Sequence, residues 1–293
     1  MAGAGGSGRG RAEGTGNAAQ AAFWSSQPGE LWARQHARID ALFSEITAAL
    51  LARAALAPGM SVLDVGCGAG ETSLAAARAV APGGRVLGVD ISPTLLAVAR
   101  QRGAGVAGLD FVQADAQDHP FEPGARDLLL SRFGLMFFAD PVAAFANLRA
   151  ALRPGGRAVF VSWAAAAGNP WMVIPRAVGV ERLGPVPADP PRTPGMFAFA
   201  EIDYVLSILG AAGFADLLGE EVAVNLHPAA SVREAAEFAT LLGPVSRIIR
   251  ERGATEADRE AIAGEIARRL APFQTAEGVR VPARINLFCA RNP

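Results

Sequence analysis

A doubly wound α/β fold, with helices on both faces of a mostly parallel seven-stranded sheet, is predicted by two features of this sequence. Short apolar runs alternate with segments of helical period through the middle of the chain, as strands buried on both faces and their crossover helices require. The first of these runs, Ser61 to Val65, turns directly into a glycine-rich loop, Gly66 to Gly70, that opens a helix. Right-handed crossovers between parallel strands then put helices on both sides of the sheet.

Each element follows from local chemistry. Residues 1–19 are rich in glycine and alanine and lack the apolar core of a secretory signal, so a disordered leader is expected there. Ile39, Leu42, Ile46 and Leu50 recur at spacings of three and four, which predicts a cap of one or two helices over residues 20–57. Pro58-Gly59 stops that run, and residues 58–293 read as the α/β domain. Its first strand is Ser61 to Val65, followed by a helix from Glu71 to Ala81 that stops before Pro82-Gly83-Gly84. A second strand, Arg85 to Val89, meets Asp90, and Pro93 to Arg102 is helical. Leu109 to Gln113 and Ala125 to Ser131 are the third and fourth strands, separated by turn chemistry at Asp118-His119-Pro120 and Glu122-Pro123-Gly124. A helix from Pro141 to Leu152 closes at Arg153-Pro154-Gly155-Gly156, and Ala158 to Trp163 is the fifth strand.

Beyond Trp163 the regularity lapses. The proline-rich passage from Gly168 to Gly195 predicts a helix and an irregular lid, and segments 164–199 and 228–276 read as insertions forming a lid and an acceptor site. Ala200 to Ala212 is helical, Leu217 to Leu226 is a sixth strand and Val279 to Ala290 a seventh. Arg233 to Pro272 is helical and dense in charge, including Arg250, Glu251, Arg259, Glu260 and Arg268, as a solvated helix face is.

Composition narrows the function. The 293 residues are 51% hydrophobic and 19% charged, which suits a buried globular enzyme. All basic residues are arginine and the formal charge is -1, so no net field draws the chain to nucleic acid or acidic lipid. The expected partner is a small molecule. Glycine, proline or charge interrupts every apolar run before the ~20 residues a bilayer span requires, so no membrane span and a cytoplasmic location are expected. Cys67 and Cys289 are too few for a disulfide framework or a zinc cluster, no metal site is expected, and both read as small buried apolar residues. The chain is expected to be a monomer or a homodimer.

A strand that turns abruptly into a helix needs residues tolerant of positive φ and lacking a Cβ, so that backbone and ligand can touch. The helix behind the loop points free N–H groups and the positive end of its dipole at the ligand. Nicotinamide, flavin and sulfonium cofactors all use such loops. A dinucleotide fingerprint starting at Gly66 would place its third glycine at position 71, where this chain has Glu71; the third glycine arrives one residue early as Gly70. A nicotinamide-dependent oxidoreductase is therefore the lesser reading. Asp64 precedes the first glycine by two residues, GVDIS puts Asp90 at the end of the second strand, QADAQ puts Asp115 after the third, and DLLLSRFGLMFF closes the fourth ahead of LRPGGRAVFVSW.

In this order, VLDVGCGAG and the later elements resemble the class I S-adenosylmethionine-dependent methyltransferases of the small-molecule type, over roughly Gln20 to Trp163, with the last two strands fitting the end of the same Rossmann-like fold. The resemblance implies S-adenosylmethionine as cofactor, contacted by Asp64, Gly66, Gly68, Gly70, Asp90, Ile91, Asp115, Ala116 and Ser131. Asp90 would accept both ribose hydroxyls, Asp115 the adenine amino group, with the Ala116 N–H on a ring nitrogen and Ile91 against the base. Asp64 either orders the loop or meets the cofactor's ammonium.

No catalytic residue is assigned, because alignment alone can supply about 7–11 kcal/mol of a transfer barrier. Ser131, Arg132 and Phe133 should face the transferring methyl, and Arg132 either steers an acceptor oxygen or pairs with an acid. His36 and His227 either deprotonate an acceptor hydroxyl or are ordinary hydrogen-bonded histidines, while His119 sits in a turn near the adenine end. Trp24 and Trp32 either wall the cofactor or pack on the sheet, and Trp171, Met172, Met196, Phe197 and Phe199 form either an apolar lid or core. An apolar lid suggests a lipophilic acceptor, such as a quinone, polyketide, aromatic or terpenoid-like molecule. A module that binds the cofactor without turnover is the remaining alternative.

Overall fold

The computed structural model describes residues 17–293; most of the expected leader lies outside them. Four short helices come first, α1 (Ala18–Trp24), α2 (Gln27–Arg34), α3 (His36–Leu42) and α4 (Ser44–Ala54), where the apolar spacing predicts one or two. Ser25-Ser26 and Pro28 divide the first pair, and the chain bends again at Gln35 and at Phe43. The first bend is tight: a Cβ on Gly29 would lie 1.8 Å from the Trp24 carbonyl oxygen.

The α/β domain then runs β1 (Ser61–Val65), α5 (Glu71–Val80), β2 (Arg85–Asp90), α6 (Pro93–Gly103), β3 (Leu109–Gln113), β4 (Arg126–Arg132), α7 (Pro141–Ala151) and β5 (Leu152–Trp163). Serine and aspartate caps with proline at the first helical position start two of its helices: Ser92 Oγ accepts from the Leu95 N–H on α6, and Asp140 Oδ1 from the Ala143 N–H on α7. The remainder comprises α8 (Pro170–Leu183), α9 (Ile202–Ala211), β6 (Ala215–Leu226), α10 (Val232–Leu241), α11 (Pro244–Glu251), α12 (Glu256–Leu270) and β7 (Val281–Arg291), with a two-residue hairpin at 274–279 ahead of β7.

The seven strands lie in the order β3-β2-β1-β4-β5-β7-β6. The first five are parallel, and β7 enters antiparallel between β5 and β6. Leu63, Leu128, Leu129, Leu130, Val159 and Phe160 are wholly buried, which is why the central strands read as unbroken apolar runs rather than alternating ones. The Arg153–Gly156 turn expected to close α7 is instead a bulge within β5, with Gly155 at φ +77° and a register shift against β4.

Strand order reverses between β1 and β4: the connection from β1 leads to β2 on one side, and β4 leads to β5 on the other. Ligands of open α/β sheets bind in the crevice that such a reversal opens at the carboxyl ends of the strands. The glycine loop after β1 and the Phe133-Gly134 turn after β4 meet there.

Candidate functional site

The loop is held by backbone and carboxylate together. The N–H groups of Gly66 and Cys67 donate to the Val89 carbonyl at 2.8 and 3.1 Å. Asp90, nearly buried at the end of β2, accepts from Gly68 N–H at 2.8 Å through Oδ2 and from Ser92 N–H at 2.9 Å through Oδ1. Each of these oxygens keeps a further acceptor site. Burial raises the Asp90 pKa, opposed by the Ser92 and Gly68 N–H groups. Burial also raises the Cys67 thiol, reinforced by the nearby carboxylates of Asp90 and Asp64, so it stays a neutral thiol.

The three glycines have different reasons to be glycine. A Cβ on Gly66 would lie 2.5 Å from the Gly134 Cα, and one on Gly70 would press on Ala99 and Phe111 at 3.1 and 3.2 Å. Gly68, at φ +54°, has nothing within 4 Å of that position. Two glycines therefore serve packing, and Gly68 alone leaves space for a ligand.

Beside the loop, residues 17–34 form a roof. The Asn17 side chain donates to Asp115 Oδ1 at 3.0 Å and accepts from Ala139 N–H at 2.8 Å, while Ser92 Oγ donates to the Trp24 carbonyl at 2.7 Å. Trp24 meets Trp32 and Phe137 edge-on at 5.6 and 5.4 Å. Beneath them lies a cavity of about 1440 Å³, walled by Gly66, Gly68, Asp90, Ile91, Asp115 and Ala116 in one part and by Trp171, Met172, Met196 and Phe197 in another. Drug-sized ligands fill roughly 300–1,000 Å³, so the volume accommodates more than one.

Between these parts, α3 and the end of β4 contribute charge. Asp40 accepts from Arg102 Nη2 at 2.9 Å and pairs with Arg132 at 3.5 Å; Arg102 also reaches Glu71 at 2.8 Å and the Ala69 carbonyl at 2.9 Å. Arg132 donates to Thr47 Oγ1 at 2.7 Å, so the acid-pairing alternative holds for it, though it also lines the cavity. Burial lowers its pKa, opposed by the Asp40 and Glu71 carboxylates, and it remains charged. Phe133 takes φ +66° and stacks on Trp163 at 4.5 Å, a strained conformation at the tip of β4 of the kind that gathers at functional sites.

The Methyltransferase domain family matches residues 63–160, the loop-bearing half of the sheet. Demethylmenaquinone methyltransferase of Staphylococcus carnosus is 37% identical over 101 residues, 34% of this chain and 42% of that protein. The chain thus spans under half the length of the curated relatives it matches. Among solved structures, Haemonchus contortus phosphoethanolamine N-methyltransferase 2 in complex with S-adenosyl-L-methionine aligns over 93% of this chain and 59% of its own, with TM-score 0.56 and 20% identity. A putative methyltransferase of Haloferax volcanii, in complex with the Trm112 methyltransferase activator, aligns over 89% and 94%, with TM-score 0.53 and 21% identity. These likenesses show the fold. Over residues 63–160 the chain is similar to the methyltransferases, and its fold is that of S-adenosylmethionine-dependent members.

The sequence-derived site is brought together in part. Gly66, Gly68, Asp90, Ile91, Asp115 and Ala116 line the cavity. Asp64, Gly70 and Ser131 do not. Asp64 is wholly buried behind the loop, where Oδ2 accepts from the Thr72 and Ser73 hydroxyls at 2.6 Å each and Oδ1 has no partner; it orders the loop, the first of its two expected roles. Burial pushes its pKa up to about 6 against the two hydroxyl donors. Ser131 is also buried, donating to the Val65 carbonyl at 2.7 Å and accepting from Gly134 N–H at 3.1 Å, so it spaces the two loops instead of facing a ligand.

For three further residues the structure takes the plainer of the expected roles. His227 lies outside the cavity, hydrogen-bonded through Nε2 to Glu45 at 2.9 Å. His119 packs edge-on against Phe121 at 4.8 Å, also away from the cavity wall. Phe199 is core, packed against Phe145, whereas Trp171, Met172, Met196 and Phe197 line the cavity as an apolar lid would. His36 does line it, with Nδ1 buried and unpartnered. Sequence reasoning missed Asn17, Asp40, Thr47 and Arg102, whose partners lie far away in the chain; only the helical offset of Asp40 from His36 on α3 hinted at a shared face.

Proposed function

We propose that this protein transfers a methyl group from S-adenosylmethionine to a small, mainly apolar acceptor. The observation that carries the reading is one continuous cavity whose wall passes from Gly68, Asp90 and Asp115 to Trp171, Met172 and Phe197. The cofactor end fits an adenosyl group. Asp90 has acceptor sites left for two ribose hydroxyls, Asp115 Oδ2 is left for the adenine amino group, and Gly68 leaves room where any side chain would project. When bound, the cofactor supplies an electrophilic methyl on a sulfonium.

This chain's residues do the rest by holding and excluding. Asp64 fixes the loop through Thr72 and Ser73, and Asp90 fixes Gly68, so the cradle is in place before a ligand arrives. Trp24, Trp32 and Phe137 cover the cavity from above and keep water from the reacting centre. Asp40 holds Arg132 at the cavity wall, where the guanidinium can orient an acceptor oxygen. Trp171, Met172, Met196 and Phe197 form a chamber for an apolar ring or chain. The demethylmenaquinone methyltransferase relatives support a quinone among the quinone, polyketide, aromatic and terpenoid-like acceptors.

Calorimetry with S-adenosylhomocysteine and with NADH tests the cofactor, and incubation with methyl-labelled S-adenosylmethionine and a panel of lipophilic phenols and quinols tests the transfer. Tight S-adenosylhomocysteine binding with label in an acceptor is expected. Binding without transfer to any of them would favour a non-catalytic module; NADH binding alone would overturn the reading.

A further inference from the structure

The stretch of cavity wall supplied by α8, α11 and α12 carries a second feature. Arg176, Arg250 and Arg259 line it, and none of their guanidiniums has an ion pair or hydrogen-bond partner among the described residues. Apart from Arg78 and Arg85, every other described arginine has one. Of the acids nearby in sequence, Glu251, next to Arg250, is held by Arg247 at 2.7 Å, and Asp189, on this stretch of wall, is held by the same Arg247 at 2.7 Å, while Glu256 and Glu260, beside Arg259 on α12, do not line the cavity. Three unpaired guanidiniums thus face this part of the cavity.

The same wall is apolar between the guanidiniums. Val173 and Leu241, 41% and 39% exposed, are among the few large hydrophobic residues left open to solvent, and both line this cavity. Val173 lies three residues before Arg176 on α8, which puts the two on one helix face. Positive charge over a low-dielectric apolar surface focuses the field into the concavity, and guanidinium groups match carboxylate and phosphate oxygens in pairs.

We propose that this wall holds the charged end of an anionic amphiphile, a molecule with an apolar body and a carboxylate or phosphate group. Resting on the methyl-transfer reading, the amphiphile is the acceptor: its apolar body lies in the Trp171–Phe197 chamber and its anionic group meets Arg176, Arg250 and Arg259. Because the arginines line a concavity rather than a convex face, a single molecule fits better than a bilayer surface.

The test uses the full chain with S-adenosylhomocysteine present. Calorimetry compares dodecanoate, dodecyl phosphate and dodecanol, each below its micelle-forming concentration, against wild type and the triple variants R176A/R250A/R259A and R176Q/R250Q/R259Q. For exposed charges acting together, about tenfold tighter binding of the anions than of the alcohol is expected, fading as salt rises. The triple variants should abolish the preference while binding dodecanol and S-adenosylhomocysteine as before. The tighter of the two anions assigns the group as carboxylate or phosphate. Equal binding of all three probes, or a preference that survives both variants, overturns the proposal. So does binding to phosphatidylglycerol vesicles in sedimentation without binding to the single amphiphiles, which would assign the arginines to a membrane surface. Failure of S-adenosylhomocysteine to bind wild type would instead sink the methyl-transfer reading, and the anion preference is then read without it.

Discussion

Gly66 and Gly68 stand two residues apart in the same loop, yet their replacement by alanine should fail in different ways. Both have positive φ, +67° and +54°, so each alanine carries about 1–2 kcal/mol of left-handed strain. At Gly66 the new methyl would also sit 2.5 Å from the Gly134 Cα, and Gly134 cannot retreat, since its own Cβ position is 2.5 Å from the Val65 carbonyl. Forcing backbone apart in a packed region adds about 1–3 kcal/mol. Gly66→Ala is therefore expected to lose about 2–5 kcal/mol in urea unfolding. Gly68→Ala has no contact within 4 Å and should lose only its left-handed strain, but its methyl projects where the ligand belongs. Its affinity for S-adenosylhomocysteine in calorimetry should fall at least about tenfold, or about 1.4 kcal/mol. Wild-type affinity in Gly68→Ala, or equal destabilisation by the two changes, would refute the division of labour between packing and ligand space.

Other changes probe the remaining parts. Asp90→Ala should abolish S-adenosylhomocysteine binding in calorimetry while unfolding stays cooperative; unchanged affinity would mean the ribose is held elsewhere. The Asp64 pKa is raised by burial from 3.8 to about 6, so the folded state holds this proton more tightly than the unfolded chain, and stability should fall by up to about 3 kcal/mol as pH rises from 4 to 7. Asp64→Asn should remove that component from urea midpoints measured across the range, and identical pH slopes for the two proteins would contradict it. Asp40→Ala strips the half-buried Arg132 of its carboxylate while Arg102 keeps Glu71, which should destabilise by about 2–4 kcal/mol. A double-mutant cycle with Arg132→Met should return a coupling above about 0.5 kcal/mol, and additive effects would dismiss the pair.

The central strands and their order of appearance were legible because parallel strands buried on both faces leave unbroken apolar runs, as in Leu128–Leu130, and the loop was legible because Gly66, Gly68 and Gly70 cluster at a strand end. The acids Asp90 and Asp115 were legible from their places just after strands. What escaped depends on partners distant in sequence. Asn17 reaches Asp115 across 98 positions and Arg102 reaches Asp40 across 62, and no local pattern marks either pair. Ser131 and Asp64 were misplaced on the wall because a strand end brings residues to the crevice without saying which way each side chain turns: both turn inward to neighbouring loop atoms. The cap was expected as one or two helices rather than four because an apolar spacing of three and four persists through bends such as that at Phe43, where the helix axis changes and the buried face does not.

Asn17 grips Asp115 from outside, and the Trp24 carbonyl grips Ser92. The seam that would open for a visiting molecule is thus stitched to Asp115, expected to receive it, and to Ser92, whose N–H holds Asp90. Occupancy below and order above become one linked equilibrium: a tighter seam slows arrival and departure alike, trading speed of exchange for length of stay. Protease resistance of the first two helices should then serve as a gauge of how full the crevice is.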